Sequence, residues 1–297
     1  MSRAWTSLRT IATVLTCVAL ASCDGDLSTG PGAAAVELST DVGVTVRDEV
    51  EAALNSLTLG TALDPIGTTQ APPQAASLLA APCVSPSSAT DSDGDGVPDD
   101  ATYLFVAPPC RFTGWRGGTL DIVGSLRIQD PSPSSAGFGY EATVTGQRSR
   151  FTNATNDVIY DVTRNGTRTL SGSVTGLLLT ANLQVIRTFA GHPDAAIDKQ
   201  WTLNFTPATP LQINADLPSG TLDIAGTIDW TRGNENFSMT VTTPTPLQYD
   251  AGCVDTVQRI RAGELHATGT FGELEGVVRV SWRECGSEPR FSFESSE

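Results

Sequence analysis

Positive charge is scarce in this chain. Among 297 residues, 18 are basic and 33 acidic, the formal net charge is −15, and Lys199 is the single lysine. No basic run offsets the acidity, so the electrostatic footprint of a nucleic-acid binder is missing and nucleic acid is excluded as a partner. Catalytic constellations are missing too. Gly172-Ser173-Val174-Thr175-Gly176 sets its serine one position early for a nucleophile elbow, no S-x-x-K precedes Lys199, and no Walker or dinucleotide-binding glycine loop occurs. His192 lies in a Gly-His-Pro-Asp turn and His266 on the polar face of a strand beside Thr268, so both read as surface or hydrogen-bonding residues. The acids Glu273 and Glu275, or Glu264 with Asp223, read as solvating side chains rather than a glycosidase pair. These absences point away from an enzyme. Aromatic residues make up 6% of the chain, too few for the two girdles of a membrane-spanning barrel.

Long hydrophobic runs are also lacking. The stretch Ile11 to Ala21, preceded by Arg3 and Arg9, is too short to cross about 30 Å of hydrocarbon and has the charged start of an export signal. It ends in Leu20-Ala21-Ser22-Cys23, which resembles the lipobox of bacterial lipoproteins. The resemblance implies that residues 1–22 are a cleaved signal peptide. It also implies that Cys23 carries diacylglycerol and palmitate-type acyl chains, mooring the protein to the extracytoplasmic side of a bacterial membrane, outer or cytoplasmic. Removing residues 1–22 leaves 16 basic against 33 acidic side chains, a formal charge of −17.

With Cys17 lost and Cys23 lipidated, Cys83, Cys110, Cys253 and Cys285 remain. Four thiols in an exported chain argue for two disulfides. Of three pairings, Cys83–Cys110 and Cys253–Cys285 are preferred as sequence neighbours, each closing a loop worth roughly 3–4 kcal/mol. The spacings lack C-x-x-C and a nearby histidine, which argues against zinc.

Residues 23–36 read as a flexible tether and 37–88 as a short helix followed by a Pro-rich irregular segment. Thr45 is the expected helix cap, with Asp48, Glu49 and Glu51 near the positive end. Val46, Val50, Ala53, Leu54 and Leu57 form an apolar stripe ending before Gly60. Residues 89–297 read as the β domain, and from Tyr103 onward the hydrophobic period becomes two. Leu120, Ile122, Leu126 and Ile128 share one face and Asp121, Ser125 and Arg127 the other, a scheme repeated along the chain. About eleven strands are expected in a large antiparallel sheet, mainly β, folded as a sandwich, barrel or half-barrel. Gly118-Thr119-Leu120-Asp121-Ile122-Val123-Gly124 recurs as Gly220-Thr221-Leu222-Asp223-Ile224-Ala225-Gly226, which suggests two duplicated halves, 110–208 and 212–297, with a groove at their junction.

The sharpest motif spans residues 91–100. Asp91, Asp93 and Asp95 can converge on a hard cation, Gly96 permits the tight turn, and the carbonyl of Val97 and the carboxylate of Asp99 complete an oxygen shell suited to calcium. The stretch resembles the loops of thrombospondin type 3 repeats. That resemblance implies a structural calcium, while Thr102 stands where an EF-hand loop has its bidentate glutamate. The expected function is a lipid-anchored envelope protein whose non-catalytic β domain binds or braces, with an envelope protein, a polysaccharide or a lipid as ligand class. The alternative is a lipid carrier or receptor, whose open half-barrel needs an unfilled apolar cavity under the Val46–Leu57 stripe.

Overall fold

The period of two is realised as one sheet. The computed structural model describes residues 31–57, 83–86, 90–113, 118–188, 192–253, 259–271 and 274–296, so the leader, Cys23 and most of the Pro-rich segment lie outside the described residues. A helix, α1 (Pro31–Asn55), precedes β1 (Val84–Pro86), β2 (Asp100–Thr113), β3 (Thr119–Gln129), β4 (Tyr140–Thr152), β5 (Val158–Ser173) and β6 (Gly176–Arg187). There follow β7 (Ala195–Pro207), β8 (Gly220–Arg232), β9 (Glu235–Tyr249), β10 (Ile260–Phe271), β11 (Leu274–Trp282) and β12 (Arg290–Ser295). Strand order in the sheet is the order in the chain, every described pairing is antiparallel, and β1 and β12 are the two open edges.

The protein is therefore mainly β, and the single open sheet excludes the sandwich and the closed barrel. The expectation of about eleven strands falls one short. The strand it misses is β1, three residues inside the stretch read as irregular, pairing Val84 with Phe105. Both preferred disulfides are present, Cys83–Cys110 with Cα atoms 5.4 Å apart and Cys253–Cys285 at 5.9 Å. The first fastens the start of β1 to β2 and the second ties the β9–β10 connection to the β11–β12 connection.

One face of the sheet is buried along almost its whole width. In β6 Leu177, Leu179, Ala181, Leu183 and Val185 are inward while Leu178, Thr180, Asn182 and Gln184 are exposed, and the other strands follow suit. Register shifts in the β2–β3, β3–β4, β4–β5, β8–β9 and β9–β10 ladders bend the sheet, as bulges do. The concave side takes up α1. Val42, Val46, Val50, Leu54 and Leu57 join the inward side chains in one apolar core.

The helix differs from its expectation. It is 25 residues long and begins at Pro31, inside the stretch read as tether. Thr45 is therefore mid-helix rather than a cap, with its hydroxyl oxygen buried and unpartnered, and Asp48, Glu49 and Glu51 are buried instead of solvating an N-terminus. The sequence signals for a cap and an acidic first turn are genuine local preferences, overridden here because the sheet supplies basic partners for Asp48 and Glu49. The β12 side of the contact is tight. A Cβ at Gly43 would lie 2.5 Å from Cδ1 of Phe291. A Gly43→Leu variant is expected to lift α1 from β12 and lose about 1–3 kcal/mol, read as a lower urea midpoint at unchanged slope.

The echoed segments fall at the starts of β3 and β8, five strands apart. The anticipated groove between halves is absent among the described residues, because β7 and β8 pair without a register shift from Ala195↔Arg232 to Pro207↔Gly220. The two halves are continuous sheet, so no seam exists there.

Candidate functional site

Two groups of charged side chains stand out, one at an end of the strands and one inside the sheet. At the end, the segment before β2 folds its carboxylates back onto its own backbone. Asp91 accepts hydrogen bonds from Gly94 N at 2.8 Å and Gly96 N at 2.9 Å, and Asp95 accepts from Val97 N at 2.8 Å. Glycine is required at 94 and 96, where φ is +75° and +91°. The ligand oxygens of Asp91, Asp93 and Asp95 lie within 4.8 Å of one another. Asp99 is engaged elsewhere, accepting from Ser92 N at 3.0 Å and Ser92 Oγ at 2.6 Å, which closes the turn.

Neighbouring connections hold this loop. Gly137 N donates to the second oxygen of Asp95 at 3.0 Å, and Asn214 Nδ2 donates to Gly94 O at 3.0 Å. Asp130, the first residue after β3, donates its N–H to Pro98 O and Asp99 O at 3.1 and 3.2 Å. The residue is 8% exposed; Oδ1 accepts from Ser132 N, and Oδ2 is buried without a partner, as is Oδ2 of Asp93. Partial burial and the negative charges of Asp95, Asp130 and Asp91 hold the Asp93 carboxyl above its usual range, against the hydrogen bond from Asp95 N. Asp130 carries no motif signal, since it lies 35 positions beyond Asp95 and reaches the loop only through the β2–β3 pairing of Asp100 with Gln129.

The second group is the acidic side of α1 and the cations facing it. Asp41, Asp48 and Glu49 lie at helical spacing, opposite inward basic residues from four successive strands. Glu49 accepts from Arg164 Nη2 of β5 at 3.1 Å and from Lys199 Nζ of β7. Asp48 accepts from Arg187 Nη1 of β6 at 2.6 Å and from Arg47, which also reaches Glu288. Arg232 of β8 donates to Asp41, and Arg168 of β5 to Ser56 Oγ at 3.0 Å. Tyr140 of β4 donates to the carbonyl of Ser56, and burial pushes its hydroxyl up to about 12.

Burial opposes the charge on Glu49, but Lys199, Arg164 and Arg168 outweigh it and keep the carboxyl far below its usual range. Burial brings Lys199 down to about 8 against the pull of Glu49, and its ammonium sits 4.2 Å from the ring centre of Trp201. Glu51 has one oxygen buried without a partner, and burial pushes its carboxyl up to about 8.

Sequence reasoning missed these basic partners. The alternation marks them, since Arg164, Arg187, Lys199 and Arg232 occupy inward positions of their strands, where an apolar residue is the rule. Of the residues weighed for catalysis, Glu264 is paired with His266 and Arg279 on the outer side of β10 and β11, and Glu273 lies outside the described residues. No family model matches the chain, and no curated protein or solved structure shows significant similarity to it.

Proposed function

We propose that this chain is a bacterial cell-envelope lipoprotein, held to a membrane through Cys23, whose β domain is a non-catalytic binding or bracing module. The observation that carries the reading against a lipid carrier is the occupancy of the concave face. A carrier reserves that space for its cargo. Here it holds α1, whose apolar stripe is buried at Val42, Val46 and Val50 and whose acids pair with four strands. Withdrawing the helix would leave Arg164, Arg187, Lys199 and Arg232 facing an apolar ligand, a poor exchange for an acyl chain. The two disulfides suit an oxidising, extracytoplasmic address.

Mass spectrometry of the mature protein tests the anchor. The expected N-terminal peptide begins at acylated Cys23 followed by Asp24, and Cys23→Ser is expected to lose the acyl mass and release the protein from membranes. An unmodified N-terminus elsewhere would refute the anchor. Solvent extraction of the purified body tests the module, because stoichiometric co-purified lipid would replace this reading with the carrier.

A further inference from the structure

We propose that β12 is a self-pairing edge, which joins two copies of this chain about a twofold axis through Ser292 so that their sheets run on as one. The claim goes beyond the anchored module and rests neither on the lipid nor on any ligand.

The two edges of the sheet are built differently. An unpaired edge strand is a template for another chain, and proteins blunt it with short strands, prolines and bulges. β1 is three residues long and ends in Pro86, and β2 beside it carries Pro108, Pro109 and a register shift. β12 has six residues without proline and keeps an unbroken register on β11, from Gly276↔Ser295 to Ser281↔Arg290. One bond sets the phase of its backbone. Ser296 N donates to Glu275 O at 2.9 Å, so by alternation Arg290, Ser292 and Glu294 turn their N–H and C=O groups to β11. Phe291, Phe293 and Ser295 turn theirs to the open side.

A second β12 laid antiparallel on that side must set open groups against open groups. An axis through Ser292 brings Phe291 opposite Phe293 of the second copy, and the reverse, each with a reciprocal pair of main-chain hydrogen bonds. The side chains then match. Both phenylalanines are half-buried against the core and meet as cross-strand aromatic pairs on the concave face. On the outer face Arg290 falls opposite Glu294 of the second copy, in the closer, non-hydrogen-bonded kind of pair. Arg290 is exposed and has no ion pair among the described residues, while Glu294 meets Arg279 through one oxygen and is more than half exposed. Moving the axis to Phe291 or Phe293 loses both charge matches. The backbone thus supplies the contact and the charges choose the register, since exposed ion pairs add little energy but like charges across strands repel. A copy of the same strand meets both demands. The interface is small, which places the dimer in the micromolar range or weaker.

Sedimentation of the full chain in density-matched detergent tests the pairing. Between about 1 and 300 µM the protein is expected to pass from monomer to dimer. Arg290→Glu and Glu294→Arg each set like charges against one another and are expected to weaken self-association about tenfold or more. An equimolar mixture of the two is expected to associate as the wild type does, because each variant then meets the opposite charge on the other. Arg290→Glu breaks no ion pair of the monomer, so in dilute solution it is expected to melt with the wild type. Ser292→Cys is expected to oxidise to a linked dimer, since Cα atoms about 4.5 Å apart across the axis suit a disulfide. Glu294→Cys is not, because its own mate lies about four positions along the strand. A monomer throughout the range would overturn the self-pairing, as would a dimer that Arg290→Glu leaves intact. A mixture that stays monomeric, or linkage through Glu294→Cys in place of Ser292→Cys, would overturn the register.

Discussion

Glu49→Ala is expected to lower the unfolding free energy by about 3–5 kcal/mol, the range seen when one partner of a buried ion pair is deleted. The residue is 3% exposed and takes hydrogen bonds from two strands at once, Arg164 of β5 and Lys199 of β7. Truncation removes the carboxylate from a space that still holds Lys199, Arg164 and Arg168, and those cations then repel one another in a medium that screens them poorly. Since folded domains are typically stable by only about 5–15 kcal/mol, such a loss consumes much of the margin. Urea unfolding at neutral pH measures it. A double variant, Glu49→Gln with Lys199→Met, is expected to recover more than half of the loss because it deletes charge on both sides. A loss below about 1 kcal/mol in Glu49→Ala would show that the pair is solvated. The same carboxyl makes the fold acid-sensitive. Its folded-state pKa is depressed, so its stabilisation is complete above the usual glutamate range, about 4.5, and fades as pH falls toward the folded value.

Glu51→Gln is expected to act in the opposite direction and stabilise the protein by about 3 kcal/mol at pH 7. Burial raises this carboxyl to about 8; Arg47 and Arg259 pull it down, and Asp48 and Glu288 push it up. Between about pH 4.5 and 8 the folded chain holds a proton that the unfolded chain has released. Stability therefore declines as pH climbs through that window, by about 1.4 kcal/mol for each unit. Glutamine keeps the shape and removes the titration. The variant's advantage is expected to be near zero at pH 4, about 3 kcal/mol at pH 7, and level above pH 8. Unfolding curves at four pH values across this range check it, and an advantage that does not vary with pH would refute the assignment. Two carboxylates two positions apart in one helix thus respond to pH with opposite sign, because the cations around Glu49 outweigh its burial and those around Glu51 do not.

The sheet was largely legible in the sequence because alternation is a local property. Leu222, Ile224, Ile228 and Trp230 declare a half-buried strand without reference to any other part of the chain, and all four are buried. Disulfide pairing was legible for a similar reason, since both bonds join sequence neighbours. Partnership across the fold was not. Asp48, Glu49 and Glu51 look like the acidic first turn of a solvated helix until the sheet brings Arg187 and Lys199 to them across 139 and 150 positions. Their basic partners look like surface residues for the same reason. The acidic loop falls between these cases. Its internal carboxylates were readable from spacing, but Asp130 enters only through hairpin geometry that spacing does not encode.

The meander has one further consequence, for the order in which the molecule can be assembled. Each hairpin from β2 onward can form as soon as its second strand emerges, since adjacent strands are neighbours in sequence and close only short loops. The helix is the exception. It leads the chain, yet Arg47 meets Glu288, 241 positions later, and Gly43 rests on Phe291 of the last strand. During synthesis α1 is delivered before the strands it packs on, its acids waiting in water while the wall that shelters them is laid down strand by strand. Seating the helix is thus a long-range closure in a largely local topology, and the cations facing it supply the ion pairs that form on closure.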